Sequence, residues 1–207
     1  MKKSTKTLLI SLCAVLLVAA SVMGTLAYLT STATVTNTFS IGSVSITMDE
    51  TDVTVYGVKD TDTRVTANEY KLMPGHEYIK DPIVHVAANS EACYLFVKVE
   101  NGISAIEAPA GTGEGAYVQI ATQITNNGWT ALDGVDGVYY KSQDATTSAA
   151  DVNVFAEFAV AGTVDSTTLA SYNGKTIVVT AYAIQSDGFA DAAAAWTASG
   201  WGTTTTD

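Results

Sequence analysis

From residue 34 onward the chain alternates apolar and polar residues. Thr34-Val35-Thr36-Asn37-Thr38-Phe39-Ser40-Ile41 and Val44-Ser45-Ile46-Thr47-Met48 repeat every two residues. That period sends successive side chains to opposite faces of a strand, and the β-branched content favours the same conformation. Further runs of this kind occupy residues 51–58, 78–87, 94–99, 117–124, 138–141, 153–160 and 176–184. Turn-forming residues divide them: Pro74-Gly75, Asn101-Gly102, Asn126-Asn127-Gly128, Asp136-Gly137 and Asn173-Gly174. Eight or more strands with this punctuation predict an all-β fold, an antiparallel sandwich or jelly roll in one domain.

Two stretches depart from the pattern. Residues 108–115 form a Gly/Ala loop, expected as a surface excursion. Residues 187–196 read as one short helix near the C-terminus, with Asp187 as N-cap and Ala192 to Ala195 of high helix propensity. Such a helix is expected to plug an open edge of the sandwich. Past it, residues 203–207 form a polar tail expected to be mobile, without a sorting motif for wall attachment.

The N-terminus reads as an address. Lys2, Lys3 and Lys6 make a positive n-region, and residues 8–23 form an apolar run of 16 residues. Gly24-Thr25-Leu26-Ala27 then supplies small residues, so cleavage is expected between Ala27 and Tyr28. A retained anchor would need a span of about 20 apolar residues, and no basic stop-transfer cluster follows this one. Contact with the membrane is therefore expected only transiently. Cys13 follows Leu12 inside the apolar run, which does not fit a lipidation site. Residues 28–202 remain as a single folded domain.

Charge narrows the partners. The chain has 21 acidic and 10 basic residues; outside the three leader lysines, 7 basic residues face the 21, a net charge of −14. With no basic stripe, nucleic-acid binding is not expected. Of the two cysteines only Cys93 lies beyond the leader, so export here does not imply a disulfide scaffold. Cys93 sits in the apolar run Ala92-Cys93-Tyr94-Leu95-Phe96-Val97 and reads as a small buried hydrophobe.

The two histidines are His76 and His85. His76-Glu77 lacks the second histidine of a zinc helix, because Lys80 stands four residues on and Pro74-Gly75 precedes it. His85, between Val84 and Val86, reads as a solvent-facing strand residue. The carboxylates Asp49, Glu50 and Asp52, Asp60 and Asp62, and Asp133 and Asp136 offer oxygen ligands for calcium, but Arg64 occupies the position where a third ligand would follow Asp60 and Asp62. They read as solubilising loop charges. Trp129, Trp196 and Trp201 are divided between core packing and carbohydrate stacking, with packing preferred. No catalytic, cofactor or metal site is assigned.

Residues 28–43 combine strong β-propensity, almost no charge and a terminus freed by cleavage. Such a segment has unpaired backbone groups unless something pairs with it. Two outcomes are open: it becomes an ordinary edge strand of its own domain, or it adds to the open edge of a neighbouring copy. The second contact is heterologous and builds a filament. Val35, Thr36, Phe39 and Ile41 are the candidate self-assembly residues.

The junction Gly24-Thr25-Leu26-Ala27-Tyr28-Leu29-Thr30, with Asn37-Thr38-Phe39-Ser40-Ile41-Gly42, resembles the TasA/camelysin family. Further likeness lies in Leu72-Met73-Pro74-Gly75, in Lys80-Asp81-Pro82-Ile83-Val84, and from Asn89 through Cys93 to Asn101. It continues in Val179-Thr180-Ala181-Tyr182-Ala183-Ile184-Gln185 with Gly188-Phe189 and Trp196. The resemblance implies a jelly-roll-like β-sandwich, secretion through a SipW-type signal peptidase, and a structural role at the cell surface or in a biofilm matrix. It also implies that the strand released by cleavage completes the sheet of the next subunit, with self, and other matrix proteins, as partners. Two alternatives stand beside that reading. One is a camelysin-like metalloendopeptidase, for which this chain shows no zinc motif. The other is a monomeric surface adhesin.

Overall fold

A computed structural model describes residues 3–29, 42–113 and 116–201, which fall into two units, residues 1–41 and 42–207. In the first, α1 (Lys3–Leu29) runs as one helix through both Ala27 and Tyr28, the residues of the expected cleavage junction. Between Leu8 and Val18 its apolar side chains are exposed around the helix, among them Leu8 at 68%, Ile10 at 70% and Leu17 at 71%. A helix without a polar stripe has its stable place in an apolar medium or a buried core. The candidate self-assembly residues Val35, Thr36, Phe39 and Ile41 lie outside the described residues, as does the tail at 203–207.

The second unit contains ten strands among its described residues: β1 (Ile46–Val53), β2 (Lys59–Val65), β3 (Glu77–Ile79), β4 (Ile83–Val86), β5 (Cys93–Asn101), β6 (Thr130–Ala131), β7 (Val138–Gln143), β8 (Ala150–Asn153), β9 (Glu157–Ala159) and β10 (Ile177–Gln185). They form one four-stranded sheet in the order β2-β1-β4-β8, a second in the order β10-β5-β7-β6, and a two-stranded ribbon β3-β9. Every pairing is antiparallel. The fold is therefore antiparallel and mostly β, as the alternation required.

Both sheets feed one core. Val84, Val86 and Val152 from the first meet Cys93, Leu95 and Val97 from the second, with Trp129, Phe155 and Phe158 between connections. β5 is covered on both sides. Its odd-numbered residues enter this core, while Phe96 packs in a second cluster with Val138, Ala192, Ala195 and Trp196. That is why its sequence reads as a nearly continuous apolar run rather than a clean alternation. Trp129 and Trp196 are core residues, 2% and 5% exposed, and the Trp129 indole N–H donates to the Asn153 carbonyl at 2.7 Å. Trp201 stacks on Tyr182 with ring centroids 4.8 Å apart.

Several expectations need correction. The run at 117–124 is not a strand; α2 (Ile120–Asn126) stands there. Ile120 and Ile124, four residues apart, satisfy a helical period as well as they fit a strand. The decision falls to Glu107, a distant residue whose carboxylate accepts the free Ile120 N–H at 2.8 Å. A further helix, α3 (Ser166–Ala170), is capped by Asp165, which accepts the Thr168 N–H at 2.7 Å. The unit therefore has more than the one short helix expected. The C-terminal helix, α4 (Ala192–Ser199), starts later than expected: Asp191, not Asp187, is its N-cap, accepting the Ala194 N–H at 2.8 Å.

Two long strands turn out broken. The run at 78–87 divides into β3 and β4 around Asp81-Pro82, where proline has no N–H to give a ladder. The run at 153–160 divides into β8 and β9 because the Gln123 side chain of α2 takes over the Ala156 N–H at 2.9 Å. Finally, the runs at 44–48 and 51–58 merge into β1 and end in a turn. There Gly57, at φ 72°, lets the chain reverse into β2, a charged strand with no apolar alternation to announce it.

Candidate assembly edge and the polar network beside it

Two sheets of four strands present four edges, and three of them are blunted. β2 reads Lys-Asp-Thr-Asp-Thr-Arg-Val and carries four charges, β8 has 4 residues and β6 has 2. Short strands and charged edges are the usual protection against strand addition. The fourth edge, β10, has 9 residues and no charge, Ile-Val-Val-Thr-Ala-Tyr-Ala-Ile-Gln. Among the described residues no strand pairs with its outer side.

The hydrogen-bond phase of that edge follows from its two ends. Gly102 N–H donates to the Thr176 carbonyl, and Ser186 N–H donates to the Ala92 carbonyl, both at 2.9 Å. In an antiparallel pair the bonded residues alternate. Even-numbered residues of β10 therefore turn their main-chain groups toward β5. Ile177, Val179, Ala181, Ala183 and Gln185 turn theirs outward. The side chains of Ile177, Val179, Ala181 and Ala183 pack on the main core, so the free amides sit above a dry floor.

Beside this edge opens a groove of about 1280 Å³. Ile177 and Val179 form one wall, and Met48, Val65, Tyr70, Leu72, Phe158 and Leu169 supply further apolar surface. An open main-chain edge next to apolar pockets is the arrangement that an incoming extended segment uses.

Polar residues of the groove and of the neighbouring sheet face form a network. Alternation along β1 separates the carboxylates that the sequence placed together: Asp49 faces Arg64, while Glu50 turns inward and is 5% exposed. Arg64 Nε donates to Asp49 Oδ1, Nη1 to Thr51 Oγ1 and Asp81 Oδ2 at 3.2 Å each, and Nη2 to the Asp49 and Asp81 carbonyls at 3.1 and 3.0 Å. Glu50 holds Lys80 Nζ at 2.6 Å and Asn68 Nδ2 at 2.9 Å. Asp60, Asp62, Asp133 and Asp136 are exposed, and Asp62 pairs with Lys59 at 2.6 Å.

His85 lies on the face opposite Val84 and Val86, as alternation requires, but solvent is not its partner. Its Nδ1 meets Asp151 Oδ1 at 2.7 Å and its Nε2 meets Asp49 Oδ1 at 2.9 Å. His76 stands apart, with Nε2 on the Tyr56 carbonyl at 2.8 Å and its ring against Tyr78. The two histidines thus share no site. Among the described residues no group of three or more His, Cys, Asp or Glu is arranged to hold a metal ion. Cys93 is buried as expected, and burial pushes its thiol up, away from the reactive thiolate. What sequence reasoning missed is Arg64, Lys80 and Asn68, which meet their partners only when β2 and the loop before β4 come alongside β1.

The hydrogen bonds that the imidazole gives to Asp49, and then to Asp151, raise the His85 pKa above its ordinary 6.5. Burial disfavours the charged form of Asp49, but the hydrogen bonds of Arg64 and His85 outweigh it and hold the carboxyl below 3.8. A raised histidine contributes stability that is complete below the unfolded-state pKa and disappears as pH rises through the folded one. A lowered carboxylate contributes above its unfolded pKa and loses that contribution on acidification. The triad therefore stabilises the fold most between about pH 4.5 and 6. The stability difference between the natural chain and His85→Gln, measured by urea denaturation, is expected to be largest in that window. It should shrink on moving to pH 8; a difference that grows toward pH 8 contradicts the assignment.

The chain matches no family model, no curated protein and no solved structure.

Proposed function

We propose that this chain is a secreted structural protein, built as a jelly-roll-like β-sandwich, that polymerises at the cell surface or in an extracellular matrix. The observation that carries this reading is the unblunted β10 edge with its adjoining groove. Residues 28–43, freed when the leader is cut between Ala27 and Tyr28, supply a complementary strand: β-prone, almost uncharged, alternating at Val35, Phe39 and Ile41. Main-chain hydrogen bonds along β10 give affinity, and the groove takes the alternate side chains. The exposed apolar run of α1 from Leu8 to Val18 supports its role as a leader removed by a signal peptidase. The resemblance to the TasA/camelysin family points the same way.

The test compares a chain beginning at Tyr28 with one lacking residues 28–43, by negative-stain electron microscopy and light scattering. The longer chain is expected to form filaments and the shorter to remain monomeric. Equal filament formation by both refutes strand donation. A longer chain that stays monomeric at high concentration assigns the segment to its own domain.

A further inference from the structure

We propose that Lys80 and Asn68 become joined by an intramolecular amide bond, with Glu50 carrying the proton. The three residues meet on a single carboxylate: Glu50 Oε2 lies 2.6 Å from Lys80 Nζ, and Oε1 lies 2.9 Å from Asn68 Nδ2. A lysine, a carboxamide and a bridging carboxylate are the complete set of reactants for acyl transfer to an amine. The side chains of Lys80 and Glu50 are only 11% and 6% exposed, at the floor of the groove that they line with Asn68.

Two further contacts fit the chemistry. The Val53 N–H donates to Asn68 Oδ1 at 3.0 Å, polarising the carbonyl and standing ready for the oxygen's developing charge. The Thr51 carbonyl accepts from Nδ2 at 2.9 Å and fixes the amide's orientation, so that its nitrogen faces Glu50. Tyr70 lines the groove with them, its ring edge-on to Tyr78 and Phe158 with centroids 5.9 and 5.1 Å away. Burial first, and the nearby Glu50 charge second, push the Tyr70 phenol up, as expected of a dry surrounding.

The step balances without an oxidant or reductant. Glu50 takes one proton from the Nζ ammonium, and the lone pair so freed attacks Cγ of Asn68. The carbonyl electron pair moves to Oδ1 under the Val53 N–H. Glu50 delivers its proton to Nδ2, the Cγ–Nδ2 bond breaks with its electrons on nitrogen, and ammonia leaves with the surplus proton from Nζ. One ammonium and one carboxamide become one secondary amide and free ammonium. The link ties the loop after β2 to the loop before β4 across β1, beside the groove. The chain beyond the leader has one cysteine and no disulfide to do this. The inference stands on these contacts alone and does not depend on polymerisation.

The experiment is tryptic digestion and mass spectrometry of the full chain as expressed and folded. The expected product is a branched peptide in which residues 65–71 are joined to residues 72–98, uncut after Lys80, with a deficit of about 17 Da, the mass of ammonia. Asn-Gly pairs lose the same mass when they cyclise, and this chain has them at Asn101, Asn127 and Asn173. The branched peptide separates the two events. Lys80→Arg and Asn68→Ala are each expected to abolish it, and the second leaves the Lys80–Glu50 pair in place. A natural chain that yields unmodified linear 65–71 and is cut after Lys80 overturns the proposal. A deficit that persists in Lys80→Arg, or maps to an Asn-Gly pair, also overturns it.

Discussion

With proline at position 181, the chain is expected to fold normally and to lose the polymerisation proposed for it. Residue 181 is one of the odd-numbered positions of β10 whose N–H turns away from β5, so proline there removes no bond of the existing sheet. Proline is tolerated on an edge strand when the missing N–H faces outward. An incoming strand, in contrast, loses a main-chain donor at the middle of its path and meets the pyrrolidine ring. The neighbouring position is the control. Thr180 turns its N–H toward β5 opposite Lys98, so Thr180→Pro removes a ladder hydrogen bond and is expected to destabilise the fold. Circular dichroism with electron microscopy reads both variants. Ala181→Pro filaments indistinguishable from those of the natural chain would remove β10 from the assembly surface. Equal loss of folding in both variants would show that the phase derived for the edge is wrong.

The strands that could be read from the sequence are those whose two faces meet different surroundings. β4 alternates because Val84 and Val86 enter the core while His85 does not, and β1 alternates in its first half for the same reason. β2 was invisible because an edge strand of a solvated sheet is specified by pairing with β1 rather than by burial, and its residues are chosen for charge. α2 was misread because a two-fold and a 3.6-fold period coincide over so few residues, and the arbiter is Glu107. The candidate site divides in the same manner. An uncharged, β-prone stretch at 176–184 was legible, but its being an unprotected edge is a property of strand order, which no local pattern encodes. Lys80, Glu50 and Asn68 each look like ordinary surface polar residues in the sequence. Only the register that brings β1 alongside two loops makes them one cluster.

Arg64 is a polar residue whose loss should destabilise this unit strongly. Its guanidinium makes five hydrogen bonds that join β1, β2 and the loop carrying Asp81, with about a quarter of its side chain exposed (28%). Arg64→Ala removes the only cation between Asp49 and Asp81 among these contacts, leaving two half-buried carboxylates with less compensation. Breaking such a network from one side costs more than the network contributes relative to an apolar replacement, about 2–4 kcal/mol. For a domain of this size that corresponds to a fall in Tm of roughly 5–15 °C. Arg64→Lys should recover little of it, because a single ammonium cannot address two carboxylates, a hydroxyl and two carbonyls from one plane. The loss should also be coupled to the pH response. His85 shares Asp49 with Arg64, so without the guanidinium the histidine becomes the main counter-charge of that carboxylate. In a double-mutant cycle, Arg64→Ala and His85→Gln are therefore expected to be non-additive at pH 5.5 and closer to additive at pH 8. Additivity at both pH values would mean that the two cations act on Asp49 independently and that the network is only a set of neighbouring pairs.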